Sequence, residues 1–204
     1  KGFLIDEYTQ MKLPEKVGWF DQTDPFSLSF SIYADHKNQE SIVFGHCEQI
    51  RLGLKGYSFF INNNKLKFII ARSWPQNAIE IETLKPVSSK EWSQVTITYD
   101  GKGTVGGIQI YINGKKAAVK RKGDELYKSI LFESDIHTYG FEGFKIGSSH
   151  KLKAFNGGGF DDLKIYDREL TAIEVAYQIA PNFFNQISEG DLSAEKHFFE
   201  DYFF

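Results

Sequence analysis

The sequence predicts an all-β chain, a two-sheet antiparallel jelly-roll sandwich with one short helix near the C-terminus, and three observations carry that expectation. Residues 26–33 read FSLSFSIY, which puts Phe26, Leu28, Phe30 and Ile32 on one face at the period of a half-buried strand. Residues 91–116 write two strands and both of their turns in succession. Val95, Ile97 and Tyr99 alternate with polar residues, then Ile108, Ile110 and Ile112 do the same before an Asn113-Gly114 turn. Further short strand candidates recur between Gly and Asn punctuation, the rhythm of a sandwich.

Taken in order, residues 1–25 suit an opening strand and loops carrying Tyr8, Trp19, Phe20 and Pro25. After the strand at 26–33, candidates follow at 41–44, 49–54, 57–61, 65–71 and 78–84, separated by Gly45, Gly53, Gly56 and Asn62-Asn63-Asn64. The hairpin of 95–99 and 108–112 comes next, with Trp92 assigned to the core edge. The Asn-Gly turn then predicts a third strand at 117–120 that returns directly to complete a meander. Residues 123–143 lack a clean period and read as a long exposed loop. Strand character resumes at 144–147 and 159–166. Thr171 and Glu174 form a capping box that starts a helix ending before Pro181. A second helix is expected over 193–204, with Phe198, Phe199, Tyr202 and Phe203 on one side. The domain reading is a jelly roll over 1–180 and a helical linker, or the start of a next domain, over 181–204.

Composition excludes several functions. The chain has 204 residues, enough for one large sandwich, and a formal charge of only -3, so nothing predicts an electrostatic hold on nucleic acid. Its basic residues are scattered apart from Lys120-Arg121-Lys122, which reads as a solvated loop beside a turn. The single cysteine, Cys47, leaves no internal disulfide and no cysteine-based zinc site. No apolar run approaches a membrane span, so membrane insertion is not expected. A start at Lys1 without a signal-peptide layout suggests a segment of a larger protein. Gly101-Lys-Gly-Thr-Val-Gly106 has the letters of a dinucleotide fingerprint, but the strand GIQIYI follows it where a helix N-terminus is needed.

Several segments keep an order that resembles the laminin-G-like branch of the concanavalin A-like lectin/glucanase fold: residues 20–30 (FDQTDPFSLSF), Ser73-Trp-Pro-Gln-Asn-Ala-Ile79, Glu91-Trp92 with Thr98-Tyr-Asp-Gly101, Tyr111-Ile-Asn-Gly114, and Gly159-Phe-Asp-Asp-Leu-Lys-Ile-Tyr-Asp167. The match covers about residues 17–178. It is similar to the domain inserted in large planctomycete-type cytochrome c proteins between domains of unknown function. That resemblance implies a non-catalytic module in an exported multidomain protein, periplasmic or extracellular. Its partner would be a polysaccharide or glycan, or neighbouring domains of the parent protein. It also implies one structural Ca²⁺ with Asp161 as a ligand, the remaining ligands being mostly backbone carbonyls, of which Gly45 is the kind of position that supplies one. The alternative is that one of Asp161 and Asp162 caps a turn while the other is solvated.

Candidate ligand contacts come from loops and one strand face. Trp74, in a Ser-Trp-Pro loop, is the best stacking platform, with Asn77 beside it and Tyr139 and Phe155 in later loops. The bland alternative is that these rings seal the rim of the sandwich. Glu80 and Glu82 share a strand face about 7 Å apart. Glycosidases of this general fold place acids on one strand to flank a bond, but the expected third acid is missing, so a solvated acidic face is the default. Three functions are therefore weighed: a glycan-binding module, a structural or protein-interaction spacer, and a glycoside hydrolase-like enzyme. The first is favoured.

Overall fold

The computed structural model describes residues 2–6, 8–14, 16–35, 40–47, 53–131, 143–147 and 155–181. Thirteen strands and one helix lie within them: β1 (Phe3–Ile5), β2 (Gln10–Lys12), β3 (Phe26–Ala34), β4 (Ser41–Cys47), β5 (Gly56–Asn62), β6 (Lys65–Ser73), β7 (Asn77–Thr83), β8 (Trp92–Tyr99), β9 (Ile108–Ile112), β10 (Lys115–Lys116), β11 (Val119–Lys122), β12 (Lys145–Gly147), β13 (Gly158–Tyr166) and α1 (Ala172–Ile179). They form two antiparallel sheets, six-stranded in the order β1-β13-β3-β8-β9-β10 and seven-stranded in the order β11-β7-β6-β5-β4-β12-β2. The jelly-roll expectation holds.

Period two explains the core. Phe26, Leu28, Phe30 and Ile32 of β3, with Val95, Ile97 and Tyr99 of β8, face Phe44, Tyr57, Phe59, Phe68 and Ile70 of the opposite sheet, all buried. Phe30 joins the layers, its ring centroid 5.0 Å from both Phe44 and Phe59 and 5.3 Å from Phe160. Two core tyrosines tie loops down: Tyr57 Oη donates to the Gly18 carbonyl at 2.7 Å, and Tyr99 Oη accepts from the Gly103 amide at 2.8 Å. Burial pushes the Tyr99 phenol up to about 12, so it stays a neutral hydroxyl.

Four expectations need correcting. The turn at Asn113-Gly114, with φ of 50° and 78°, forms as expected, yet β10 pairs with β9 through only Lys115 and Lys116. The chain then crosses to the other sheet, where β11 pairs with β7 from Val119↔Thr83 to Lys122↔Glu80. The meander is therefore two strands plus a crossover, because the Ala117 amide, bonded to Ile110 at 2.8 Å, and the Ala118 carbonyl, bonded to Leu84 at 2.8 Å, serve different sheets. It follows that Lys120-Arg121-Lys122 is an edge strand and not a loop. Residues 123–131 are held, not free: Leu126 and Ile130 are buried in the core. Gly53 and Leu54 form a bend; the rest of the strand expected at 49–54, residues 49–52, lies outside the described residues. The helix expected over 193–204 also lies outside them.

The glycine run before β9 makes a hairpin connection. A 3-10 turn, Val105–Gly107, leads straight into β9, and a Cβ on Gly107 would stand 2.0 Å from the Asp100 carboxylate. Helix α1 forms with both halves of its capping box, Thr171 accepting from the Glu174 amide and Glu174 from the Thr171 amide. It docks on the outer face of the six-stranded sheet through Tyr111, Leu170 and Val175.

Candidate functional site

The outer face of the seven-stranded sheet gathers Trp74, Glu80 and Glu82, three of the residues singled out from the sequence. Cross-strand register sets Glu82 between Lys67 and Lys120, and Glu80 between Ile69 and Lys122. Opposite charges facing each other across a sheet stabilise it and neutralise the acids locally. Trp74 stands over this row: its indole N–H donates to Glu80 Oε2 at 2.8 Å, and Lys122 Nζ lies 5.1 Å from its ring centroid. Beneath lies a second apolar cluster of Ile42, Phe60, Ile69, Ala71 and Ala78, all buried, against which Leu54 and the half-buried Trp74 pack. The ring is thus engaged by a carboxylate, an ammonium and an apolar floor.

Two other expected contacts are corrected. Asn77 is buried, and its amide donates to the Glu125 carbonyl at 3.0 Å and accepts from the Lys128 amide at 3.2 Å, which fixes the loop after β11. Phe155 is fully buried in the main core, so its ring is not available to a ligand. Tyr139 lies outside the described residues. Asp161 sits at a β-bulge between β13 and β3, exposed, with Oδ1 accepting from the Asp162 amide at 2.8 Å. Asp162, at φ 53°, pairs with Lys164 at 2.8 Å. Gly45 is in β4 of the other sheet, between Ser58 and Lys145. For a calcium ion at Asp161, most of the six to eight oxygens would have to come from backbone.

A different aromatic surface emerges on the six-stranded sheet, at the end away from α1. Register aligns Leu4 of β1, Gly159 of β13, Tyr33 of β3 and Trp92 of β8 in one row. Trp92 is 44% exposed and Leu4 74%. The Trp92 and Tyr33 rings are 5.7 Å apart and tilted by 45°. The indole lies over glycine backbone: a Cβ on Gly2 would meet its ring at 2.2 Å and one on Gly159 at 2.7 Å. A groove of about 530 Å³ lined by Leu4, Asp6, Tyr33, Asp35, Asn156 and Gly158 shares Leu4 and Tyr33 with the row, and a separate space of about 430 Å³ is lined by Met11, Ile146, Phe160 and Asp161. Asp6 accepts from the Thr9 hydroxyl at 2.7 Å and the Tyr8 amide at 3.0 Å, and these bonds hold its carboxyl below the ordinary range.

Sequence reasoning missed this row by giving Trp92 to the core edge, although parity held the answer. Ser93, Val95, Ile97 and Tyr99 point inward, so Trp92, Gln94, Thr96 and Thr98 must point out.

With both faces described, the relatives fall into place. Residues 6–176 match the laminin-G-type profile described as the concanavalin A-like lectin/glucanases superfamily. The chain belongs to that superfamily. No curated protein matches it in sequence. Among solved structures, it is similar to the CBM40 of Ruminococcus gnavus IT-sialidase bound to α2,3-sialyllactose, with 16% identity over 88% of this chain and 96% of that one and a TM-score of 0.65. The botulinum neurotoxin serotype G binding domain gives 17%, 88%, 42% and 0.57 for the same measures. A heptameric SAP-like pentraxin from Limulus polyphemus gives 15%, 87%, 80% and 0.54. The chain spans about two fifths of the neurotoxin binding domains it matches. At such identities the likeness is one of fold, and this concanavalin A-like sandwich keeps its own surface chemistry.

Proposed function

We propose that the chain is a non-catalytic binding module whose ligand is a glycan, held at the Leu4–Gly159–Tyr33–Trp92 row. The observation that carries this reading is Trp92, an indole laid across glycine backbone with 44% of its surface exposed, next to a groove with carboxylate and amide groups. A flat apolar face bordered by hydrogen-bonding groups suits a pyranose, whose C–H face stacks while its hydroxyls bond at the side. The sialyllactose-bound CBM40 and the neurotoxin binding domain support a binding role for this architecture. A non-catalytic role is supported by Glu80 and Glu82: one holds the Trp74 indole and both face lysines, whereas a glycosidase needs two acids free to flank a bond.

A second reading, a structural or protein-interaction spacer, is favoured by the seven-stranded outer face, where Phe60 and Ile69 are buried and Trp74 is pinned. A glycan array probed with the wild-type chain and with Trp92→Ala, each with and without EDTA, separates the two. The expected outcome is retention on at least one glycan class and a loss of tenfold or more, about 1.4 kcal/mol, in Trp92→Ala. No retention in either condition overturns the glycan reading and leaves the spacer ahead, and retention that ignores Trp92 overturns the row as the binding site. Dependence on EDTA would add support for calcium at Asp161.

A further inference from the structure

We infer that Asp161 and Ser31 read a pair of free hydroxyls on the sugar that Trp92 stacks, so that the site takes neutral, unsubstituted hexose chains; the inference rests on the glycan reading above. Residues two apart on a strand share a face and stand about 7 Å apart, so the aromatic row has a parallel row beside it. Two residues along from Gly159, Tyr33 and Trp92 are Asp161, Ser31 and Gln94, and register pairs Asp161 with Ser31 and Ser31 with Gln94. All three are polar and none is buried. The indole reaches across to Gly159, where a Cβ would stand 2.7 Å from it, and Asp161 is the next outward residue of that strand in register with β3.

The three side chains differ in what they have left to offer. Gln94 Nε2 donates to Ser29 Oγ and lies 3.4 Å from Gln178 Oε1, so its carboxamide is engaged at the end of α1. Asp161 Oδ1 accepts from the Asp162 amide at 2.8 Å, which leaves Oδ2, and Lys164 pairs with Asp162 instead. The Ser31 hydroxyl makes no hydrogen bond to another described side chain. Directly opposite residues of an antiparallel pair have Cβ atoms about 4.5–5.5 Å apart, so a carboxylate oxygen and a hydroxyl stand side by side next to the indole. An ionised carboxylate only accepts, and a serine hydroxyl both accepts and donates. Two neighbouring sugar hydroxyls satisfy that pair. A methyl ether in their place has no proton to give, and a sulfate ester brings like charge to Asp161. Bonds to a charged acceptor are the stronger kind, so Asp161 should matter more than Ser31.

Titration calorimetry with cellotetraose, mannotetraose and galactotetraose, each beside its per-O-methylated form and each with and without EDTA, tests this. At least one tetraose should bind in both conditions, and its methylated form at least tenfold more weakly. Asp161→Asn should weaken binding about tenfold and Ser31→Ala about threefold. Both variants should melt like the wild type, since an asparagine oxygen can still take the Asp162 amide. Affinities within twofold of wild type in both, with Trp92→Ala still weakening binding, overturn the hydroxyl reading and leave the module intact. Binding that EDTA abolishes overturns it as well, because Asp161 would then act through a metal ion. If no tetraose binds, the inference falls, and the glycan array alone says whether the module reading falls with it.

Discussion

The two outer faces of the sandwich solve opposite problems. On the six-stranded sheet the outward strand positions are polar, and yet Ser27, Ser29, Thr96 and Thr98 are buried. Helix α1 and the turn before it cover them: Ser27 Oγ donates to the Arg168 carbonyl and accepts from the Leu170 amide, both at 2.9 Å, and Ser29 Oγ donates to Gln178 at 2.7 Å. On the seven-stranded sheet the outward positions in the middle are apolar, topped by Leu54 and Trp74 and edged by a Glu/Lys row. Strand polarity therefore does not report exposure here. What docks on the face does, since small hydroxyls bury at little cost where they meet a partner, as Ser27, Ser29 and Thr96 do while the Thr98 hydroxyl does not. The end of the six-stranded face beyond α1, where Trp92 lies, stays exposed.

The comparison breaks most readily at Phe60. If the apolar floor of the seven-stranded face is structural, Phe60→Ala should lower unfolding stability by about 3–5 kcal/mol in urea. A loss below about 1 kcal/mol would mean that this face is open and that its rings are free for a ligand. On the other face, Val175 is fully buried between α1 and the sheet. Val175→Ala should cost about 1.5–2 kcal/mol, with hydrogen exchange rising first in α1. An unchanged melting curve would mean that the helix rides on the sheet without stabilising it.

The smallest effect is electrostatic. The Arg168 guanidinium, then the Thr171 amide, hold the Glu174 carboxyl down at about 2 from an ordinary 4.5. Because its folded value is depressed, the stabilisation is present above about pH 4.5 and is lost as pH falls towards 2. The pair is largely solvated, which makes the effect slight and salt-sensitive. Amide exchange in α1 should therefore accelerate over that window ahead of the core, and Glu174→Gln should flatten the dependence.

The core was legible because alternation over 26–33 and 95–112 is long and strict, and burial follows parity. The capping box was legible because Thr171 and Glu174 satisfy one another locally. The crossover at Ala117-Ala118 was not, since an Asn-Gly turn specifies its two flanking residues and says nothing about which sheet receives the chain next. Candidate contacts fared worst. Trp74 and Asn77 have the residue types of a site, but long-range partners, Lys122 for one and Glu125 with Lys128 for the other, decide how they are used. No local pattern contains those partners.

The crossover has a further consequence for the solubility of the molecule. One basic stretch supplies the last strand of both sheets, with Lys115 and Lys116 on the six-stranded sheet and Lys120, Arg121 and Lys122 on the seven-stranded one. An unpaired sheet edge invites a strand from another molecule, and a row of like charges repels one. A single eight-residue passage thus guards two open edges at once, and replacing its lysines with threonine would invite edge-to-edge aggregation on both.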